Sequence, residues 1–150
     1  MQGKPSGHAA FCRLAESLGC AVEASQNPAF DLVYEDDLAA SVSLHSNGHD
    51  VAVDIWCCDV AALTGPPRRA VIKTLLLLNQ ASQWGSPLHI GLDSRDFVLL
   101  HGRRPLEGLN GASFAAWLTG RAEQGRRVRA LVRTLSLEGC QMDFTLSRVS

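Results

Sequence analysis

One dipeptide, Asn47-Gly48, constrains the fold of this chain more than any other feature. Asn-Gly is a strong hairpin signal, because the central residues of a tight turn must accept positive φ. On either side of the connection Ser46 to His49, apolar and polar residues alternate with the two-residue period of half-buried strands. The segment that includes Val42 and Leu44 therefore pairs with a strand from about Asp50 to Cys57.

Three more strands follow from the same period. One begins just after Pro28 and leads through an acidic turn at Glu35 to Asp37 into the hairpin. Pro87 to Leu92 and Asp96 to His101 form a second hairpin around a polar turn. The sequence predicts a five-stranded, mainly antiparallel sheet.

Helical spacing marks three further segments. From Ala9 to Gly19, apolar residues recur at i, i+3, i+4 and i+7, and the glycine supplies a stop. A second helix runs from Arg68 to about Gln83, and a third begins near Phe114 after a loop from Gly102 to Gly111. Gly120 and Gly125 predict a bend or break in the third helix, before its apolar stripe resumes through Leu135. The fold class is α+β, in the order α-βββ-α-ββ-α.

The second helix carries more apolar surface than one flank of a core requires. Leu77 lies on one side of this helix, near Lys73. Five other apolar residues lie within one broad arc on the opposite side: Val71, Ile72, Leu75, Leu76 and Leu78. A crowded core could cover all of them, but a second subunit across this helix explains them at least as well. We therefore expect a homodimer.

Size and composition indicate one domain. A chain of 150 residues with 46% apolar content is long enough for a single core. We expect residues 1–150 to form one domain, ordered from about 9 to 136 with flexible termini. The five cysteines form no CxxC pair, which favours reduced thiols in a cytoplasm. We expect neither an export signal nor a membrane span.

Charge is divided unevenly along the chain. Through Val60 there are nine acids and two bases, and beyond it six acids and twelve bases. The basic end could indicate nucleic acid, but no aromatic residues are interleaved with its arginines, and the overall pI is near 6.5. The alternative is a solvated helix face or an ion-paired contact with the acidic half. We expect no nucleic-acid partner.

No catalytic constellation stands out. Cys57-Cys58 invites a metal interpretation, but neither cysteine has a partner at zinc-ligand spacing, so both are expected to pack as small hydrophobes. A nucleophilic pair of Cys57 with His45 or His101 stays open, since such pairs meet in space. The glycines match no phosphate-binding loop. We expect no enzyme activity, no cofactor and no metal.

From about Phe11 to Leu135 the chain resembles the class I chaperones of bacterial type III secretion, the CesT/SycE-like (Tir chaperone) family. The resemblance rests on the element order and on the stretches FCRLAESLG, FDLVYEDDL, VSLHSNGHDVAVDIW and RRAVIKTLLLLNQAS. It implies a cytoplasmic bacterial homodimer that holds the N-terminal segment of a secreted effector in extended form. The secretion ATPase is a further candidate partner.

The resemblance also implies site residues. The first helix and front strands would offer apolar patches to the effector, although some of these residues must belong to the core: Phe11, Leu14, Leu18, Phe30, Leu32, Tyr34, Val42 and Leu44. The second helix and a neighbouring strand would form the dimer contact: Val71, Leu75, Leu77, Leu78, Leu88 and Ile90. A regulatory adaptor of the same fold, which sequesters a transcription regulator or secretion component, is the alternative; a small thiol enzyme is a third.

Overall fold

A computed structural model describes residues 7–22, 27–80 and 88–149, with side chains described as far as Leu137 and not at Leu88. The elements follow the predicted order: α1 Gly7–Ser17, β1 Ala29–Val33, β2 Ala39–Leu44, β3 Asp50–Asp59, α2 Gly65–Gln80, β4 Leu88–Leu92, β5 Phe97–Pro105 and α3 Gly111–Val149. The five strands form one sheet in the order β1-β2-β3-β5-β4, and every neighbouring pair is antiparallel. The predicted α+β fold class is confirmed.

The β2–β3 hairpin forms where Asn47-Gly48 predicts it, by a different turn geometry. Only Gly48 takes positive φ, at 73°. Asn47 acts through its side chain, whose Oδ1 accepts the backbone N–H groups of His49 and Asp50 at 2.9 and 3.0 Å. The turn is thus fixed by one left-handed glycine and one side-chain acceptor.

The three helices and one face of the sheet enclose a single core. On β3, Val51, Val53 and Ile55 point inward and are buried, as their alternation predicts. Phe30 of β1 contacts both Phe11 of α1 and Phe114 of α3, with ring centroids 5.7 and 6.3 Å apart. The opposite face of the sheet, which we call the open face, carries partly exposed residues.

β5 is longer than the sequence predicts. It was expected to end at His101, yet it continues to Pro105, and the loop begins later than the expected Gly102. The extension pairs with the first half of β3, where Asp50 lies opposite Pro105. Proline is tolerated there because it stands at the end of the strand. Strand pairing therefore overrides the loop-like composition of this segment.

The expected break in α3 is wrong: the helix is continuous from Gly111 to Val149. Gly125 is buried against β3, where an added Cβ would lie 2.8 Å from Cγ2 of Ile55. Gly120 has no atom within 4 Å of the same position. At Gly125 the missing side chain serves close helix–sheet packing, which offsets its weak helix propensity.

The bounds of the other two helices differ from the predicted ones by a few residues. α1 begins two residues before the predicted Ala9 and ends at Ser17. α2 begins at Gly65, so that Pro66 and Pro67 occupy its first turn, where their missing N–H groups leave no bond unmade. Its predicted end at Gln83 falls outside the described residues, as does the predicted strand start at Pro87.

Candidate partner-binding surfaces

Residues predicted to bind a partner divide into two groups. Four of them are buried in the core of the single chain: Phe11, Leu14, Phe30 and Val42. The other four are half-buried and pack at the margin of that core: Leu18, Leu32, Tyr34 and Leu44. Only the second group has surface to offer without rearrangement. Partner contact at these positions stays a prediction.

The residues predicted for a dimer contact divide in the same way. Val71, Leu75 and Ile90 are buried within the chain. Leu78 is half-buried, and the side chain of Leu88 lies outside the described residues. Leu77 is 57% exposed, as its place on the helical wheel predicts.

Leu76 is 58% exposed beside Leu77, although the sequence did not single it out for the contact. The helical wheel could have indicated this exposure, because Leu76 lies at the edge of the apolar arc, between the buried Leu75 and the exposed Leu77. Two neighbouring exposed leucines on α2 form the most apolar part of its outer surface. We call them the leucine pair.

The outer edge of β4 is partly occupied by α2. The carboxamide of Asn79 accepts the N–H of Ile90 at 2.7 Å and donates to the C=O of the same residue. These two backbone groups face away from β5, so Asn79 makes the bonds that a further strand would make. At its centre, this edge is therefore not free to add a strand.

The outer edge of β1 is different. The N–H of Tyr34 donates to Leu38, and the N–H of Leu44 donates to Pro28. By the alternation of an antiparallel ladder, the backbone groups of Ala29, Asp31 and Val33 then point away from β2. The Val33 side chain is 75% exposed. Within the described residues, β1 is the sheet edge that can accept an added strand.

An ionic cluster joins the acidic β1–β2 turn to the basic α3. Asp36 pairs with Arg126 and Arg129 at 2.7 and 2.5 Å, and the Arg126 guanidinium lies 5.2 Å from the ring centre of Tyr34. The hydrogen bond from Arg126, with that from Arg129, lowers the pKa of Asp36 to about 2. The acidic half and the basic end of the sequence thus neutralise each other in part, through a contact within the chain.

The open face carries a polar row across the strands. His101 of β5 pairs with Asp54 of β3 through Nδ1 and Oδ1, 2.6 Å apart, and its ring stacks on His89 of β4. Ser41 and Asp31 continue the row by register on β2 and β1. This row consists of cross-strand contacts that stabilise the sheet surface.

Cysteine chemistry has little support in this geometry. Burial raises the pKa of Cys57 to about 12, and burial also raises the pKa of Cys58. A thiol with such a pKa is protonated at neutral pH and is a poor nucleophile.

Among the described residues, no three histidine, cysteine or acidic side chains converge as a metal site. Nor does any helix in the described ranges have the length and hydropathy to span a bilayer.

Three solved complexes contain a chain that shares this fold. The ExsC–ExsE complex superposes with a TM-score of 0.68 at 13% identity, covering 87% of this chain and 97% of that one. The Yersinia pestis type III secretion chaperone SycH, bound to a fragment of YscM2, gives 0.59 at 13% identity and covers 82% and 99%. The HopA1–SchA chaperone–effector complex gives 0.62 at 12% identity and covers 83% and 94%. At these identities the likeness establishes the fold.

The type III secretion chaperone SycH and a chain of the HopA1–SchA chaperone–effector complex thus share this fold. The chain itself belongs to the Tir chaperone protein (CesT) family, whose model matches residues 12–129. No curated protein shows a significant sequence match to it. The resemblance drawn from the sequence is confirmed.

Proposed function

We propose that this protein is a non-enzymatic, cytoplasmic chaperone that binds the N-terminal segment of a secreted effector in extended form, by adding it as a strand to β1. The observation that carries the proposal is the outer edge of β1, where the outward backbone groups of Ala29, Asp31 and Val33 have no hydrogen-bond partner among the described residues. Family membership supports the effector as the partner. Main-chain bonds give affinity whatever the sequence of the added strand, which suits a protein that holds an unfolded segment.

The margin of the core supplies the apolar part of the same surface. Leu32 and Tyr34 lie on β1 itself, and Leu18 and Leu44 flank the core beside it. Side chains that alternate along an added strand would pack on these residues on the inward side. This apolar contact offsets the cost of ordering the effector segment, which amounts to several kcal/mol.

We further propose that two copies associate through α2, with the leucine pair at the centre of the contact. Leu76 and Leu77 are both more than half exposed, and two leucines beside one another on a helix are costly to leave in water. A contact across a two-fold axis would bring the leucine pairs of both copies together. Such a dimer leaves both β1 edges available to the effector.

A proline at Val33 tests strand addition. The N–H of Val33 points outward, so Val33→Pro leaves the β1–β2 ladder intact and removes a donor that an added strand needs. We expect at least a tenfold loss of affinity for an N-terminal effector fragment that the wild-type chain binds, measured by calorimetry. Val33→Thr, which keeps the N–H, is the control. Equal affinity of the two variants would exclude strand addition at β1.

A further inference from the structure

A cavity of about 320 Å³ lies at one end of the open face. The β1–β2 turn and the β4–β5 turn flank it, and β3 forms its floor, with the following lining residues: Asp37, Ala39, Trp56, Asp93, Arg95 and Phe97. None of these residues belongs to the predicted partner-binding or dimer surfaces. We call it the aromatic–acidic cavity.

Asp93 holds one wall of this cavity, the β4–β5 turn, in place. Its carboxylate accepts the backbone N–H groups of Arg95 and Phe97 at 2.8 and 2.9 Å. These two bonds fix the β4–β5 turn, after which Phe97 begins β5 and lines the cavity together with Trp56. A cavity wall that is ordered before binding costs a ligand little entropy.

Asp37 supplies a carboxylate without an ion-pair partner among the described residues, unlike its neighbour Asp36. Asp37 stands at the rim with φ of 63°, which directs the chain around the turn. Arg95 is the one cation among the lining residues, against two carboxylates. Carboxylates beside aromatic faces are the combination that attracts an ammonium or guanidinium group.

We propose that the aromatic–acidic cavity binds a lysine or arginine side chain from an extended effector segment. The inference rests on the proposed function only for the source of that side chain. Val33 at the β1 edge lies opposite Ala39, and Ala39 lies opposite Trp56, so the edge is two strand spacings from the cavity. That distance is roughly 10 Å, which three or four extended residues can span.

Titration of the isotope-labelled full chain with a blocked amino acid tests the cavity directly. The probes are N-acetyl-lysine methylamide and its uncharged analogue N-acetyl-norleucine methylamide, and the signal is the indole N–H of Trp56, assigned through Trp56→Phe. We expect the lysine probe to shift this signal and to bind at least about fivefold more tightly than the norleucine probe. Equal affinity of the two probes, or no shift of this signal, would overturn the proposal.

Asp37→Asn and Glu35→Gln form a matched pair, since both remove one charge from the same turn and only Asp37 lines the cavity. Asparagine tolerates the left-handed φ at this position, so the turn is expected to survive. We expect Asp37→Asn to weaken the lysine probe about threefold or more and Glu35→Gln to leave it unchanged. Equal effects of the two variants would contradict the assignment.

Sedimentation of the same variants tests whether the cation that enters the cavity comes from an effector or from a second copy of this chain. The basic α3 of another copy is the alternative source of a cation, and in that case Asp37→Asn would lower the mass of the assembly. That outcome would overturn the proposal, whereas an unchanged mass supports it. The probe requires no effector, and Val33 does not line the cavity. The cavity proposal and the strand-addition proposal can therefore be refuted independently of each other.

Discussion

Gly125 of α3 lies directly against Ile55 of β3, so closely that a Cβ on the glycine would be 2.8 Å from the Ile55 Cγ2 atom. The helix therefore rests on the sheet at a distance that only glycine allows. This contact brings α3 close to β3, and α3 in turn places Arg126 and Arg129 beside Asp36 of the β1–β2 turn.

Gly125→Ala is expected to lower the free energy of unfolding by about 1–3 kcal/mol, because the added methyl must displace Ile55 in a packed core. Gly120→Ala is the control, since nothing lies within 4 Å of its Cβ position. There we expect a gain of about 0.5–1 kcal/mol from helix propensity. Urea unfolding of both variants measures the difference, and a similar gain at both sites would refute the packing argument.

The Asp36 cluster predicts a pH dependence of stability. Because Arg126 and Arg129 lower the folded pKa of Asp36 to about 2, the pair contributes fully above the ordinary carboxyl pKa near 4. Its contribution is lost as the pH falls from about 4 to about 2. Asp36→Asn should remove this part of the acid sensitivity in urea unfolding at a series of pH values.

Glu35→Gln, in the same turn and without an ion pair among the described residues, should follow the wild-type pH curve. If Asp36→Asn and the wild type lose stability in parallel below pH 4, then the cluster does not stabilise the fold.

Leu76→Asp and Leu77→Asp test the proposed dimer. The wild-type chain should sediment at twice its 16.2 kDa mass, and each variant should sediment as a monomer, because a carboxylate at the centre of an apolar contact loses its hydration. Both side chains are exposed in the single chain, so folding is expected to survive. Light scattering after size exclusion gives the mass.

Leu137→Asp makes the same change at a leucine of α3 that is 67% exposed, and it should leave the dimer intact. A monomeric wild type at micromolar concentration would exclude the dimer, and dimeric leucine-pair variants would exclude this surface.

Asn79→Ala should expose the edge of β4. It removes both hydrogen bonds to the backbone of Ile90, which costs about 1–3 kcal/mol if the freed groups remain partly buried. We expect a matching loss in urea unfolding and faster hydrogen exchange at the Ile90 amide. Gln80→Ala, at the next position of α2, should change neither. Unaltered exchange at Ile90 in Asn79→Ala would show that Asn79 does not protect this edge.

Local patterns in the sequence predicted the strands, the hairpin at Asn47-Gly48 and the family. They did not predict the end of β5, because Gly102 to Pro105 has the composition of a loop and becomes a strand only through its pairing with β3. Gly125 was misread for the same reason, since its role depends on Ile55, which is distant in sequence.

The candidate surfaces show a similar limit. Periodicity identifies the apolar side of α2, but it does not say which leucines its neighbours cover; Leu75 is buried and Leu76 is not. The bond between Asn79 and Ile90 and the cavity beside Trp56 both join segments by tertiary packing alone. No spacing rule in the sequence could have found them.

The shielding of β4 by Asn79 has a consequence for colloidal behaviour. A sheet with two unpaired edges can add further copies at both edges and grow into a fibre. Here Asn79 occupies the centre of the β4 edge. Two copies that paired through their β1 edges would therefore have only their β4 edges left for a third copy, and the centres of these edges are already hydrogen-bonded. Pairing of sheets edge to edge therefore stops at two copies.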